Sequence, residues 1–337
     1  MQLAVFSLQL SVMMRGGVEL SRALESLSLS APDTEGQELA RRLHTRLLQG
    51  NYLSRALAEH PSVFSPFYVG MVEVGERTGG LVVVLDRLAQ WLRRDGELLQ
   101  RLRAALVYPL SVAGFSLAML VTVFATILPG LVQMIAEMEG QLPWYSRLLV
   151  LLVSGLQQPW MWLVAGLGLA AAGLLMRQVS REQWFELGVS LPLVGNLLIY
   201  SSLARFSVAA ALMLEVGVDL LRALRLAAQA SGSPLLVREM PHVVEGIRDG
   251  ESVATMFRHL SHCPRVFWQM IEVAEESARM SSAFTFLARH LEAEVGYRIE
   301  AVMALMEPLL ISLLAGLVGF TVVALMVPLY GTLANFG

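Results

Sequence analysis

No lysine occurs anywhere in the 337 residues, so all 25 Lys+Arg side chains are arginine. That absence excludes a phosphate-loop lysine, a Schiff-base lysine and a serine–lysine dyad. A single cysteine, Cys263, excludes an intramolecular disulfide and any disulfide-stapled secreted scaffold. Charge is scarce as well: 16% of residues are charged, where about 25% is usual for a soluble domain. A net charge of −3 offers no basic face for nucleic acid. Strand-like alternation of useful length is missing, which leaves helices. What the chain has in quantity is apolar surface, 55% hydrophobic residues and a mean hydropathy of +0.58. These totals describe an all-α membrane protein that also carries substantial soluble parts.

Three long stretches contain no Asp, Glu, Lys or Arg: residues 104–136, 148–176 and 308–337. Each exceeds the roughly 20 residues that a helix needs to cross the hydrocarbon core. The second is broken by Gln157, Gln158 and Pro159, which moves its span to about 160–176 and leaves 147–158 as an amphipathic segment at the far interface. Arg93, Arg94, Arg101 and Arg103 precede the first span, Arg177 and Arg181 follow the second, and Arg289 and Arg298 precede the third. The loop between spans one and two holds only Arg147, with Glu137 and Glu139. Positive charge stays inside, so the N-terminus is expected in the cytoplasm and the C-terminus outside. Trp144, Tyr145, Trp160, Trp162 and Tyr330 fall where interfacial aromatics belong. The opening MQLAVFSLQLSVMM resembles a signal-peptide core. Arg15, Gly16 and Gly17 occupy the place of a small-residue cleavage site, however, and the repeat described next makes it a folded helix.

FSLQLSVMMRGGVELSRAL at 6–24 returns as FSVAAALMLEVGVDLLRAL at 206–224. After a one-residue slip, MVEVGERTGGL at 71–81 matches MIEVAEESARM at 270–280, and LAQWL at 88–92 matches LARHL at 287–291. Pro109 then matches Pro308, and Pro129 matches Pro328. This is a duplication. Within a copy the period is helical: Leu39, Leu43, Leu47 and Leu48 form an apolar stripe, with Arg41, Arg42 and Arg46 off it. Gly16-Gly17, Gly50-Asn51, Pro61 and Gly79-Gly80 punctuate short helices. Each copy is expected to be a bundle of about six helices, the last starting near Leu81 and running into a membrane span. Two spans that leave the cytoplasm in the same direction need one more to return the chain, which the second stretch supplies.

GERTGG at 75–80 superficially resembles a phosphate-cradling loop. It lacks the lysine, a helical pattern precedes it, and the second copy replaces its glycines, so phosphate binding is set aside. Two readings stay open. Gly75 would permit close helix approach, and Gly79, with Gly80, would end one helix before the next. The acids and arginine around the corner (Glu73, Glu76 and Arg77, with Glu272, Glu275 and Glu276 in the second copy) would cap and pack, or would meet a partner. His259, His262 and Cys263 (HLSHC) lack a companion cluster, so no metal ligand set is assigned. Pro109, Pro129, Pro308 and Pro328 sit near span ends as kinks or end markers rather than gates. The spans hold no ionisable residue, and no catalytic triad, metalloprotease motif or intramembrane carboxylate pair is found. Neither a catalytic residue nor a cofactor is expected. The competing classes are a small transporter or channel subunit, which would need polar intramembrane segments, and a membrane enzyme.

The order F-S-x-x-L, G-V-x-L-x-x-A-L, MVEVGERTGGL, LAQWL and a proline-bearing span resembles the type II secretion system F family, the inner-membrane platform proteins of type II secretion and type IV pilus machines. LPLVGNLLIYSSLARFS at 191–207 is similar to the family's lead-in to its second domain at Pro192, Gly195 and Arg205. Where typical members have a leader of some tens of residues, this chain starts almost at the domain, as in some type IVb pilus platforms. The resemblance implies a non-enzymatic scaffold in the bacterial inner membrane that couples a cytoplasmic assembly ATPase to extraction and polymerisation of pilin or pseudopilin subunits. Other inner-membrane assembly components, membrane lipid and further copies of itself would be its partners, and no metal site carries over. The expected division is a first cytoplasmic bundle at 1–104, a membrane helix at 105–131, an external loop at 132–158 and a second membrane helix at 159–177. A second cytoplasmic bundle at 178–304, a third membrane helix at 305–330 and a short external tail at 331–337 complete it. Charge reversal at Glu76 or Arg77 is expected to weaken ATPase recruitment without unfolding.

Overall fold

The computed structural model describes residues 3–30, 34–126, 180–190 and 194–335, with the isolated positions 129, 151, 158, 167 and 168. The expected external loop, the second membrane helix, and Trp144, Tyr145, Trp160 and Trp162 lie outside the described residues, those isolated positions apart. Among the described residues there is no strand. The first copy supplies α1 (Leu3–Arg15), α2 (Leu20–Ser30), α3 (Thr34–Leu48), α4 (Leu53–Ala58), α5 (Pro66–Thr78) and α6 (Leu81–Thr126). α7 (Arg181–Ser190) precedes the second copy. That copy supplies α8 (Val194–Glu215), α9 (Leu220–Ala230), α10 (Pro234–Arg248), α11 (Val253–Arg258), α12 (Arg265–Glu276) and α13 (Met280–Asn335).

The duplication is visible in how helices stop. α1 ends with Gly17 at φ 86°, and α8 ends with Gly217 at φ 82°. In both, the next residue's N–H reaches back to close the last turn, Val18 to Met13 O at 3.1 Å and Val218 to Met213 O at 2.9 Å. This left-handed termination satisfies carbonyls that would otherwise be orphaned, and glycine adopts it without a Cβ clash. On α3, Leu43 is buried and Leu39 and Leu47 pack against the core, as the stripe predicts. Leu48, which the same reading placed on the stripe, is 70% exposed. It is the last residue of the helix and follows Leu47 by only one position, so it points off the face that Leu43 and Leu47 share.

Residues Met1–Arg101 and Arg181–Arg298 form one compact unit that holds the short helices of both copies. Its core is continuous from one copy to the other. The second copy centres on Phe206, whose ring lies 5.8 Å from Phe257, 6.2 Å from Phe267 and 5.9 Å from Phe284. In the first copy Phe6 stands 6.2 Å from Phe64, whose ring lies tilted 5.1 Å from that of Tyr68. Tyr68 is fully buried, and its hydroxyl shares a 2.8 Å hydrogen bond with Ser7, which also donates to Leu3 O. Burial pushes the Tyr68 phenol well above its ordinary value, against the opposing effect of the Ser7 bond, so it stays neutral. α8 is apolar enough to resemble a span, yet more than half of its apolar window is buried in this core.

The second unit, Leu102–Ser180 with Ile299–Gly337, holds the C-terminal parts of α6 and α13. α13 is long and apolar enough to cross a membrane, and its apolar window is not buried at all. Leu309, Ile311, Leu313, Val318 and Val322 are all more than half exposed. So are Val107, Leu110, Phe115 and Met119 on α6. Contiguous apolar exposure on this scale is unfavourable in water and ordinary in lipid. α6 starts at Leu81 and passes through Pro109; α13 passes through Pro308 and Pro328. Pro129 is helical too, past the end of α6 at Thr126.

Candidate functional site

The corner between α5 and α6 is built by two glycines with different tasks. Gly79 takes φ 73° directly after α5. A Cβ on Gly75 would lie 3.0 Å from the Leu81 Cα and 3.1 Å from a Val84 methyl, so glycine lets the start of α6 fold close against α5. Gly80 has no such constraint, since a Cβ there would only touch the Thr78 hydroxyl at 3.4 Å.

Glu76 turns away from the corner to the N-terminus of α4. Its carboxylate accepts from the Leu53 N–H, from the Ser54 N–H at 3.2 Å and from the Ser54 hydroxyl. The N-cap residue of α4, Tyr52, makes no side-chain cap of its own. A distant carboxylate therefore satisfies two of the orphan donors of this six-residue helix and meets the positive end of its dipole. The anion held at a helix N-terminus is thus the protein's own glutamate rather than a phosphate.

The second copy repeats the device. Glu275 accepts from Val253 N–H at 2.9 Å, Ala254 N–H at 3.3 Å and the Ser252 hydroxyl at 2.8 Å, at the start of α11. Burial pushes its carboxyl up, but those three hydrogen bonds together outweigh it and hold the group below the ordinary carboxylate value. The left-handed position survives without glycine: Ala278, the counterpart of Gly79, sits at φ 53°. It is the one positive-φ non-glycine among the described residues. A Cβ in that region costs roughly 1–2 kcal/mol. Ala278→Gly is therefore expected to stabilise the chain by about 0.5–1 kcal/mol after glycine's added unfolded-state entropy is subtracted, and Gly79→Ala to destabilise it by a similar amount, both read by thermal unfolding.

Of the other predicted residues, Arg77 is exposed and stands 3.9 Å from Glu73. Glu272 and Glu276 are exposed, and among the described residues neither has an ion-pair or hydrogen-bond partner. Glu73 instead joins the two copies, pairing with Arg222 on α9 at 2.6 Å. Beside it Leu226 fills the space over Gly70, where a Cβ would lie 2.7 Å from the Leu226 Cδ1. Arg87 meets Glu215 at 3.5 Å, and Asp95 meets Arg205 at 3.5 Å. Sequence reasoning did not assign Arg222 this role, although the signal was present: Arg22 and Arg222 recur at the same repeat position.

His262 and Cys263 line a pocket with Phe185, Ile199, Leu236 and Leu260. Glu239, also at its edge, is held by Ser261 at 2.6 Å. Burial pushes the Cys263 thiol up to about 12, which suppresses the nucleophilic thiolate. No group of three or more His, Cys, Asp or Glu placed to hold a metal occurs among the described residues.

The description of the type II secretion system protein F family matches the chain twice, over residues 6–129 and 206–328. The chain belongs to this family. Its members are non-enzymatic platform proteins. The two matches begin at Phe6 and Phe206 and end at Pro129 and Pro328, the same residues that bound the internal repeat. A type IV pilus assembly protein PilC of Thermus thermophilus is 30% identical over 98% of this chain and 83% of its own length. Its namesake from Pseudomonas aeruginosa is 25% identical over 98% of this chain and 89% of its own length. The type II secretion system protein F of Pseudomonas aeruginosa is 25% identical over 97% of this chain and 82% of its own. In this family member the capping glutamates, the corner and the inter-copy pair all fall inside the matched segments.

Proposed function

We propose that this family member is the inner-membrane platform of a type IV pilus or type II secretion machine, where it couples a cytoplasmic assembly ATPase to extraction and polymerisation of pilin-like subunits. The observation that carries the reading is the double family match across relatives whose names cover both pilus assembly and secretion. In the proposed topology both copies face the cytoplasm, three helices cross the membrane at 105–131, 159–177 and 305–330, and the C-terminus is periplasmic. The arginine asymmetry and the exposed apolar length of α13 support it.

The corner divides its labour in this proposal. Glu76 and Glu275 hold α4 and α11, and the exposed Arg77 and Glu276 offer charge to the ATPase. Rim charges act mainly on encounter and specificity, so Arg77→Glu is expected to reduce co-purification of the ATPase about tenfold while thermal unfolding stays unchanged. Deletion of the gene should abolish surface fibres or secretion, and the wild-type copy should restore them. Undiminished fibre assembly and secretion in the deletion strain would sink the function. Unchanged recruitment by a folded Arg77→Glu protein would remove only the contact.

A further inference from the structure

The contact between the two copies is one-sided. α5 of the first copy packs on α9 of the second through Glu73–Arg222 and through Leu226 seated over Gly70. The repeat supplies the reciprocal pair of helices, α12 and α2, with the same charges in place: Glu272 corresponds to Glu73, and Arg22 to Arg222. Within one chain these two do not meet. Both are exposed, and among the described residues neither has an ion-pair or hydrogen-bond partner.

Burial at matched positions shows which surfaces are left uncovered. Val74 on α5 is 8% exposed, and its counterpart Val273 on α12 is 59% exposed. Arg222 and Leu226 on α9 are half-buried, whereas Arg22 and Ser26 on α2 are exposed, with Leu29 at 76% one turn further on. At the centre, the positions matching Leu226 and Gly70 carry Ser26 and Gln269. Arg77 and Arg225 stay exposed in the observed contact, so the acidic Glu276 and Glu25 in their places would also remain solvated.

We propose that α12 of one chain docks on α2 of a second copy, re-using the packing that joins α5 to α9 inside each chain, with Glu272 paired to Arg22. Such a contact is heterologous, so each copy keeps one free face of each kind and association continues until a ring closes. The charge complementarity and the continuity with the intramolecular interface select a second copy as occupant. The proposal stands apart from coupling to an ATPase, because its test reads only association between copies.

The experiment uses the full chain in native membranes, with Cys263→Ala as background and a short bis-maleimide as cross-linker. Chains carrying both Ser26→Cys and Gln269→Cys should give a ladder of cross-linked species. Mixed single variants should give dimers only between Ser26→Cys and Gln269→Cys chains. Adding Arg22→Glu should lower the yield at least about tenfold, since like charges would then face each other, and Arg22→Glu with Glu272→Arg should restore it. The thermal midpoint of each variant establishes that the bundle is folded. Absence of cross-linking in folded chains, cross-linking of Ser26→Cys to itself, or indifference to the charge swap would each overturn the proposal.

Discussion

Phe206→Ala is expected to be the most damaging single truncation in the short-helix unit, costing about 3–5 kcal/mol. The ring is fully buried and has three phenylalanines around it at centroid distances of 5.8–6.2 Å. They come from three other helices, α11, α12 and α13. Removing it loses transfer free energy, leaves a cavity that four helices must collapse to fill, and breaks edge and tilted ring contacts. For a unit of roughly 200 residues that loss corresponds to a fall in Tm of about 6–20 °C. The hydrophobic core runs on into the first copy, so a fluorescence probe at Trp91 should report the same lowered midpoint as a probe in the second copy. A first copy that keeps its wild-type midpoint in Phe206→Ala would mean that the copies unfold independently. Phe6→Ala, whose ring meets one other among the described residues, at 6.2 Å, should cost less.

Much of the fold was legible because duplication writes the same local instructions twice. Gly17 and Gly217 end helices at the same repeat position, Ser7 and Ser207 are both buried, and Phe6 and Phe206 both enter the core. Each is a short-range or single-residue signal that sequence carries directly. The joining of the two copies in one core was not legible. That contact rests on Glu73 and Arg222, 149 positions apart in the chain, and neither looks different from a solvated charge on an amphipathic helix. Leu48 shows the same limit on a smaller scale, since a stripe read by composition does not reveal where the helix stops.

At the corner, the sequence left capping and partner contact open for the acids, and the geometry makes caps of Glu76 and Glu275. Both Glu76 and Glu275 lie in the last turn of their own helix, where the unsatisfied backbone groups are carbonyls that a carboxylate cannot cap. The partner they cap lies more than twenty residues earlier, at Leu53 and at Val253. A carboxylate that serves another helix's N-terminus leaves no local motif. The retained acid at matched positions in both copies was the available clue.

Glu76→Ala is expected to destabilise the chain by about 2–3 kcal/mol, because hydrogen bonds to a charged acceptor are lost and buried donors are left unmet. α4 is only six residues long, too short to persist without its cap, so its buried Leu53 and Leu57 would lose their anchorage with it. Glu76→Gln keeps one acceptor oxygen but not the charge, and should cost about half as much. Glu275→Ala should behave similarly, and the two losses should add, since the sites lie in different copies and share no hydrogen-bond partner. Acid provides the independent check. The folded-state pKa of Glu275 is depressed, so its stabilising contribution is fully present above the unfolded carboxylate value and disappears as pH falls through the lower folded value. Wild-type chain should therefore lose stability on acidification more steeply than Glu275→Ala, with the two curves converging once the carboxylate is protonated. This separates two effects that a recruitment assay alone would merge. A loss of ATPase binding in Glu76→Ala should track its lowered midpoint and recover on cooling, whereas a loss in Arg77→Glu should persist at every temperature where the bundle is folded. A Glu76→Ala protein with an unchanged midpoint would overturn the capping role and return that carboxylate to the proposed docking surface.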